Sequence, residues 1–188
     1  MIYFTADTHF YHSNVIRLCS RPFETIEEMN RALVQNWNAY VTNMDEIYIL
    51  GDFAHKGTPQ EVNSILKKLK GKKYLIRGNH DRFIDSPGFD ANAFKWIKDY
   101  HVLHHNKQKF VLFHYPILEW DGFFGNSIHL HGHVHNAAKT LTQEARLGVL
   151  GRNAINVGVD TNNYFPVSID MIFSTVESEH VCSLPVQV

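Results

Sequence analysis

The sequence predicts an α/β fold. Three short apolar runs, at residues 2–6, 46–50 and 73–76, alternate with two amphipathic helical patterns in the first half of the chain. Runs of this length, rich in β-branched and aromatic residues, are typical of strands buried on both faces of a parallel sheet. Each run ends in polar residues, and open α/β sheets place their ligands at the carboxyl ends of strands. We therefore expect strand, helix, strand, helix, strand, with the functional residues along one edge of the sheet.

Two helices are predicted between these strands, after a loop through Asn14 and a short helical turn between Asn14 and Arg21. The first begins with the capping-box spacing Thr25–Glu28 and continues with apolar residues at three- and four-residue steps up to Tyr40. The second begins with the capping box Thr58–Glu61, which has proline at the first helical position. Its apolar face is expected to consist of Val62, Ile65, Leu66 and Leu69.

The second half of the chain has weaker patterns. Residues 83–93 have the composition of a loop, residues 136–153 show no clear period, and the tail from Met171 to Val188 favours a last pair of strands. Because the chain has one body of apolar sequence and no linker or repeat, we expect a single domain spanning residues 1–188. Short strands are expected near Val102 and at residues 110–113, 127–131 and 154–157.

The composition narrows the class of function. A formal net charge of −1 argues against an extended nucleic-acid surface, and no apolar run approaches the length of a membrane span. The first residues carry no positively charged leader pattern, so no signal peptide is expected. The two cysteines, Cys19 and Cys182, do not form a disulfide framework, although one bridge between them is left open. These features predict a cytoplasmic protein without a membrane partner.

Five polar blocks carry the chemistry, and they contain five of the thirteen histidines. Carboxylate and imidazole ligands together favour metals such as Mn, Fe or Zn over Mg or Ca, which prefer oxygen ligands alone. A single block of this kind occurs by chance in many proteins, so the signal lies in the set of five, three of which stand at the ends of predicted strands. The blocks are Asp7-Thr8-His9, Gly51-Asp52, Gly78-Asn79-His80-Asp81, His114 and Gly132-His133-Val134-His135.

In these five blocks the sequence resembles the calcineurin-like metallophosphoesterases, in particular small single-domain members of bacterial or phage type. The resemblance extends over about residues 2–170. It implies a four-layer α/β/β/α sandwich, in which two mixed sheets are flanked by helices. It also implies two divalent metal ions (Mn, Fe, Zn or Ni), the first held by Asp7, His9 and His135, the second by Asn79, His114 and His133, with Asp52 bridging them.

The resemblance further implies a mechanism. A metal-bridging hydroxide would attack phosphorus in line with the leaving group, without a covalent enzyme intermediate. His80 would face the substrate and stabilise phosphoryl charge or protonate the leaving oxygen. Asp81 would orient His80 by fixing its tautomer.

The predicted partner is a small phosphate ester, and a small phosphodiester is favoured as the substrate. The alternative within the class is a phosphomonoesterase acting on a nucleotide or a phosphoprotein. An alternative from another class is a non-catalytic scaffold of the same fold, but the sequence retains every predicted ligand and His80. The oligomeric state is left open, with a homodimer among the options.

Several residues beside the blocks could touch the substrate: His12, His55, Arg82 and Tyr115. Arg21 could bind phosphate, but a surface position before Pro22 is the simpler interpretation. The aromatic segment Glu119–Gly125 is expected to border the site, where it would stack on a planar leaving group, pack into the core or form a dimer contact.

Overall fold

A computed structural model of the protein describes residues 1–136 and 153–181, with side chains described as far as residue 177. The four helices of the described residues are α1 (Ser13–Leu18), α2 (Ile26–Tyr40), α3 (Pro59–Lys68) and α4 (Ile169–Val181). The nine strands of the described residues are β1 (Ile2–Thr5), β2 (Glu46–Leu50), β3 (Lys72–Ile76), β4 (Ile97–Lys98), β5 (Tyr100–His105), β6 (Gln108–Phe113), β7 (Ile128–His131), β8 (Ala154–Asn156) and β9 (Val167–Ser168).

The strands form two mixed sheets. The first has the order β4-β3-β2-β1-β9, in which only the pairing of β9 with β1 is antiparallel. The second has the order β5-β6-β7-β8, in which only the pairing of β5 with β6 is antiparallel. Two mixed sheets flanked by helices confirm the predicted fold class.

The apolar run of β2 is continuous because both of its faces are buried. Ile47 and Ile49 join a cluster with the apolar faces of α2 and α3, whereas Tyr48 and Leu50 join a second cluster. That second cluster contains Phe110 of β6 and other residues of the second sheet, so it fills the space between the sheets. Burial of each such aliphatic side chain contributes roughly 1.5–3 kcal/mol, and the alternating faces fix the register of the strand.

The two predicted capping boxes have different outcomes. At α3 both halves form, because the Thr58 side chain accepts from the Glu61 amide and the Glu61 carboxylate accepts from the Thr58 amide. At α2 the Thr25 side chain accepts from the Glu28 amide, but the Glu28 carboxylate accepts from the Glu24 amide at 2.8 Å instead. The start of α2 was therefore predicted correctly, but only the Thr25 half of its capping box forms.

The tail is a helix up to Val181, so the prediction of a strand pair is wrong there. Ile169, Ile172, Phe173 and Val176 recur at three- and four-residue steps and join the cluster between the sheets, with the Phe173 ring 5.7 Å from that of Phe110. Residues 137–152 and 182–188, including Cys182, lie outside the described residues. Across the described part of the chain, no helix combines the length and the apolarity needed to cross a bilayer.

The carboxyl ends of strands from both sheets meet along one edge. Ala6, which follows β1, bridges to Gly158, which lies beyond β8. Leu50 at the end of β2 accepts a hydrogen bond from the His114 ring beyond β6, at 2.8 Å. The five polar blocks follow strands β1, β2, β3, β6 and β7, and the fold thus brings the blocks together.

Candidate metal centre

Three groups of side chains among the described residues bring ligand atoms close together; one is Cys19, His135 and Asp160, and the other two consist of predicted ligands. In the first of these two Asp7, His9 and His135 have ligand atoms within 4.8 Å of one another, and in the second Asp52, His114 and His133 do. Asn79, the seventh predicted ligand, places its side-chain oxygen 3.1 Å from His114 Nε2. The structure therefore brings all seven predicted ligands together, and the first group is the set expected for the first metal. Metal binding by these residues stays a prediction.

The Asp52 carboxylate lies between the two groups. Its Oδ2 atom is 3.6 Å from His9 Nε2 of the first group and 3.5 Å from His114 Nε2 of the second. Its Oδ1 atom accepts a hydrogen bond of 2.8 Å from the His80 backbone amide, which fixes the orientation of the carboxylate. This is the position that a carboxylate shared by two cations requires.

The glycines of two blocks are explained by close approach of backbone to carboxylate. A Cβ atom added at Gly132 would lie 2.5 Å from Asp7 Oδ2, and one added at Gly78 would overlap Asp52 Oδ1. Without a side chain at Gly132, the His133 amide can donate to the Asp7 carboxylate at 2.9 Å. Both glycines therefore serve the placement of a predicted ligand.

Backbone conformation also marks the site. Five of the seven predicted ligands have φ between 48° and 70°, in the left-handed region that non-glycine residues rarely adopt. Such conformations cost about 1–3 kcal/mol each and persist where the surrounding structure enforces them, often at functional sites. The five residues are Asp7, His9, Asp52, His133 and His135.

His9 supplies the clearest test of whether these residues fit a cation. Both of its ring nitrogens are buried and have no hydrogen-bond partner within the described structure. His129, which lies in strand β7, instead has a partner at each nitrogen, because Nδ1 donates to the Val111 carbonyl oxygen and Nε2 accepts from the Ile117 amide. Buried polar groups are normally paired, and burial lowers the pKa of His9 to about 2 and so keeps the ring neutral, the form that binds metals. The donor set fits a divalent metal.

The two buried carboxylates differ in charge state. Burial raises the pKa of Asp7 to about 7 in the metal-free protein, although the neighbouring His135 opposes the shift. Burial also acts to raise the pKa of Asp52, but the His114 imidazole and the His80 amide outweigh it and the pKa falls to about 2. Asp52 is thus ionised at neutral pH before any cation binds, whereas Asp7 is not fully ionised.

Asp81 does not have the predicted role. Its Oδ2 accepts from the amides of Gly78 and Asp52 at 2.8 and 2.9 Å, and its Oδ1 accepts from the Phe53 amide at 2.7 Å. Both carboxylate oxygens are thus used by backbone donors of the two loops, not by the His80 ring. Asp81 joins the Gly-Asp loop to the Gly-Asn-His-Asp loop and so holds Asp52 in place.

Sequence reasoning missed a buried pair behind His135. The His135 Nδ1–H group donates to Asp160 Oδ2 at 2.7 Å, and Arg21 donates to both Asp160 oxygens at 2.8 Å. Arg21 also donates to the Asp7 carbonyl oxygen at 2.7 Å and is only 4% exposed, so the surface interpretation was wrong. Asp160 follows a strand, as the ligands do, and that was the available signal. The pair leaves His135 Nε2 for a cation.

The flanking residues have distinct positions. The His80 ring centroid lies 5.4 Å from that of His9, and the Tyr115 ring lies 4.6 Å from that of His133. Arg82 is exposed at the start of a short 3-10 turn. In the aromatic segment Trp120 is buried and donates to Ser127, whereas Phe124 is 89% exposed. One aromatic residue of that segment therefore packs into the core, and another is free to make contacts.

Comparisons with known proteins identify the family of this chain. A family model described as calcineurin-like phosphoesterase matches residues 1–147, which contain all five blocks. An uncharacterized protein of Methanocaldococcus jannaschii, MJ1445, is 37% identical over 185 residues, covering 96% of this chain and 93% of that protein. The gene 66 protein of Mycobacterium phage L5 is 30% identical over 81 residues, covering 42% of this chain and 39% of the phage protein.

A solved structure has a similar fold over nearly the whole chain. The protein of unknown function AQ665 from Aquifex aeolicus superposes with a TM-score of 0.71 at 30% identity, covering 93% of this chain and 98% of that one. The two sheets and their flanking helices thus recur in a solved structure. With the family match across the five blocks, the chain belongs to the calcineurin-like phosphoesterases, a family of metal-dependent phosphoester hydrolases.

Proposed function

We propose that this protein is a dinuclear metal-dependent phosphoesterase that hydrolyses small phosphodiesters. The observation that carries the dinuclear part is the position of Asp52 Oδ2, at 3.6 Å from a histidine nitrogen of one ligand group and 3.5 Å from one of the other. Two divalent cations, when bound, neutralise phosphoryl charge and activate water at neutral pH. The carboxylate that both would share is ionised and oriented in the metal-free protein.

The residues around the ligands have separate tasks in this proposal. His80 lies beside the first group with no hydrogen bond to its ring in the described structure, so the ring is available to the leaving oxygen of a substrate. Its backbone amide, held by Asp52, limits where the ring can go. Proton donation by such a positioned side chain contributes about 10²–10⁴ in rate.

The preference for a diester is supported by the charge available for the phosphoryl group. A phosphomonoester carries up to two negative charges on the reacting phosphorus, and a clamp for it commonly uses arginine. Arg21, which lies behind the first ligand group, is bound to Asp160 and to backbone carbonyls and has no free donor pair for substrate. A singly charged phosphodiester needs less compensating positive charge from the site than a phosphomonoester does.

The test is hydrolysis of bis(p-nitrophenyl) phosphate and of p-nitrophenyl phosphate. Metal-stripped protein would be assayed after separate addition of Mn, Ni, Zn or Mg, and bound metal would be counted per chain. We expect metal-dependent turnover with the higher kcat/KM for the diester, at two ions per chain. A higher kcat/KM for the monoester would assign a phosphomonoesterase, and two bound ions without turnover of either ester would favour a non-catalytic scaffold.

The role of His80 is tested by His80→Ala, with His104→Ala on strand β5 as the matched control. We expect His80→Ala to lower kcat by about 10²–10⁴ while two ions remain bound. His104 is exposed and pairs with Lys109 near the start of β6, at the opposite end of that strand from His114, so His104→Ala should retain the activity of the unaltered protein. Unchanged turnover in His80→Ala would show that another group assists the leaving oxygen.

A further inference from the structure

Three histidines pack against one another beside the candidate metal centre. The ring centroids of His12 and His55 are 4.4 Å apart, and those of His55 and His80 are 4.5 Å apart. His12 also lies 5.3 Å from His9 of the first ligand group. The three come from different loops: His12 precedes α1, His55 follows the Gly-Asp block and His80 lies after β3. The fold therefore builds this histidine cluster, His12, His55 and His80, from distant parts of the chain.

The rings of the histidine cluster have no hydrogen-bond partners within the described structure. Structural histidines elsewhere differ, since His129 donates to the Val111 carbonyl oxygen and accepts from the Ile117 amide, and His131 donates to the Gly132 carbonyl oxygen. The Nδ1 atom of His12 is buried without a partner. A neutral ring in that position is expected to keep its proton on Nε2, because a protonated Nδ1 would be a buried donor without an acceptor. The three adjacent rings therefore offer N–H donors for which the described structure provides no hydrogen-bond acceptor.

The charges around the histidine cluster are mostly positive. Burial, followed by the neighbouring His55 and His80 and by Lys56, lowers the pKa of His12 to about 4. Burial also lowers the pKa of His55, and Lys56 and Arg82 act in the same direction. The carboxylate that acts on His55 is Asp52, which the metal centre uses. Neutral imidazole donors flanked by lysine and arginine suit an anionic acceptor.

We propose that His12 and His55 form an anion subsite next to His80, which binds a second phosphate group of the substrate, separate from the phosphoryl group that reacts. This inference rests on the proposed phosphoesterase function. A phosphate offers several acceptor oxygens to converging donors, which a single hydroxyl does not. A third cation is a poorer fit, because among the described residues the three rings do not bring ligand atoms as close as the two metal groups do. The substrate class is thus a phosphodiester that carries an additional phosphate.

The test compares two substrates that differ by one remote phosphate. Thymidine 5′-(p-nitrophenyl phosphate) and its 3′-phosphorylated form release the same p-nitrophenol from the same diester. We expect the unaltered protein to prefer the phosphorylated ester by about tenfold or more in kcat/KM, mainly through a lower KM. One charge-assisted hydrogen bond to the additional phosphate is sufficient for a preference of this size. In His12→Ala and His55→Ala the ratio of the two kcat/KM values should fall towards one. His12→Gln, which keeps a side-chain donor, should retain part of the preference for the phosphorylated ester, and His104→Ala should retain all of that preference.

Two results would overturn the proposal. One is turnover of both esters by the unaltered protein with equal kcat/KM values, which would leave the phosphoesterase function intact and refute the subsite. The second concerns metal-free protein labelled with ¹⁵N-histidine and titrated with inorganic phosphate. We expect the His12 and His55 ring signals, assigned with the alanine variants, to shift together and to saturate. If these signals do not move, the subsite is refuted even if neither ester is a substrate.

Discussion

Asp7 and Asp52 are both almost fully buried, yet their hydrogen bonds give them opposite properties. Asp52 is approached by the His114 imidazole and the His80 amide, which together overcome the cost of burial and keep its pKa at about 2. Asp7 receives the His133 amide, but burial dominates and its pKa rises to about 7. The predicted bridging carboxylate is therefore charged in advance, whereas Asp7 is partly protonated at neutral pH and would lose that proton when a cation binds.

The raised pKa of Asp7 predicts how the stability of the metal-free protein depends on pH. A carboxyl with a higher pKa in the folded state holds its proton more tightly there, so its contribution is greatest at low pH and is lost as pH rises from about 4 to about 7. Between about pH 5 and about pH 8 the unfolding free energy of the unaltered protein should fall by roughly 2–3 kcal/mol more than that of Asp7→Asn. Urea unfolding at both pH values measures this, and parallel pH profiles for the two proteins would contradict it.

Substitution of Asp160 should lower metal affinity although Asp160 is not one of the predicted ligands. It holds His135 through the 2.7 Å hydrogen bond and is itself held by Arg21. Because partners of ligating histidines fix the ring orientation, Asp160→Asn should weaken metal binding by about 10–100-fold. Competition with a metal-sensitive dye would measure the dissociation constants. Asp170→Asn, in the first turn of α4, is the control, and equal affinities in the two variants would show that Asp160 does not position the ligand.

At the scale of elements, the sequence predicted seven of the nine strands of the described residues, the helices of the first half and the loops that carry the ligands, but not the two-residue strands β4 and β9. These depend on local patterns, such as the apolar run of β2 or the Thr58 capping box. Contacts between distant segments were not predictable in this way. Arg21 and Asp160 are 139 positions apart, and Asp81 makes its bonds to backbone amides, which no side-chain motif encodes. Helix α4 was missed although Ile169, Ile172, Phe173 and Val176 recur at three- and four-residue steps, a local pattern that indicates a helix.

The loop of the Gly-His-x-His block has no space for a side chain at Gly132. In Gly132→Ala the new methyl group would meet Asp7 Oδ2 and the Ala6 side chain at 2.5 Å, so Asp7 must move. We expect a loss of about 1–3 kcal/mol in stability and at least one metal ion fewer per chain at equal metal concentration. The control is Gly125→Ala, where the nearest atom is the Gly122 carbonyl oxygen at 3.3 Å in an exposed loop. Normal metal content in Gly132→Ala would show that the loop can adjust.

At the scale of the whole molecule, the candidate metal centre belongs to neither sheet alone. The first ligand group takes Asp7 and His9 from the loop after β1 and His135 from the loop after β7. The second takes Asp52 from the loop after β2, while His114 follows β6. Each group therefore draws on both sheets. A cation can be fully coordinated only when the sheets are docked, so metal binding and folding are coupled.

Because of this coupling, the number of bound ions can be measured from the way the unfolding free energy depends on metal concentration. For free metal well above the dissociation constant, each site adds about 1.4 kcal/mol to the unfolding free energy per tenfold rise in metal concentration. Two sites should therefore give a slope of about 2.7 kcal/mol per decade in chemical denaturation at buffered Mn concentrations. His135→Ala and His114→Ala each remove a ligand from one group and should each lower the slope towards the value for one site, whereas His104→Ala should not. A slope of one site in the unaltered protein would refute the dinuclear proposal while leaving the fold as described, because stability without metal depends on the two apolar clusters.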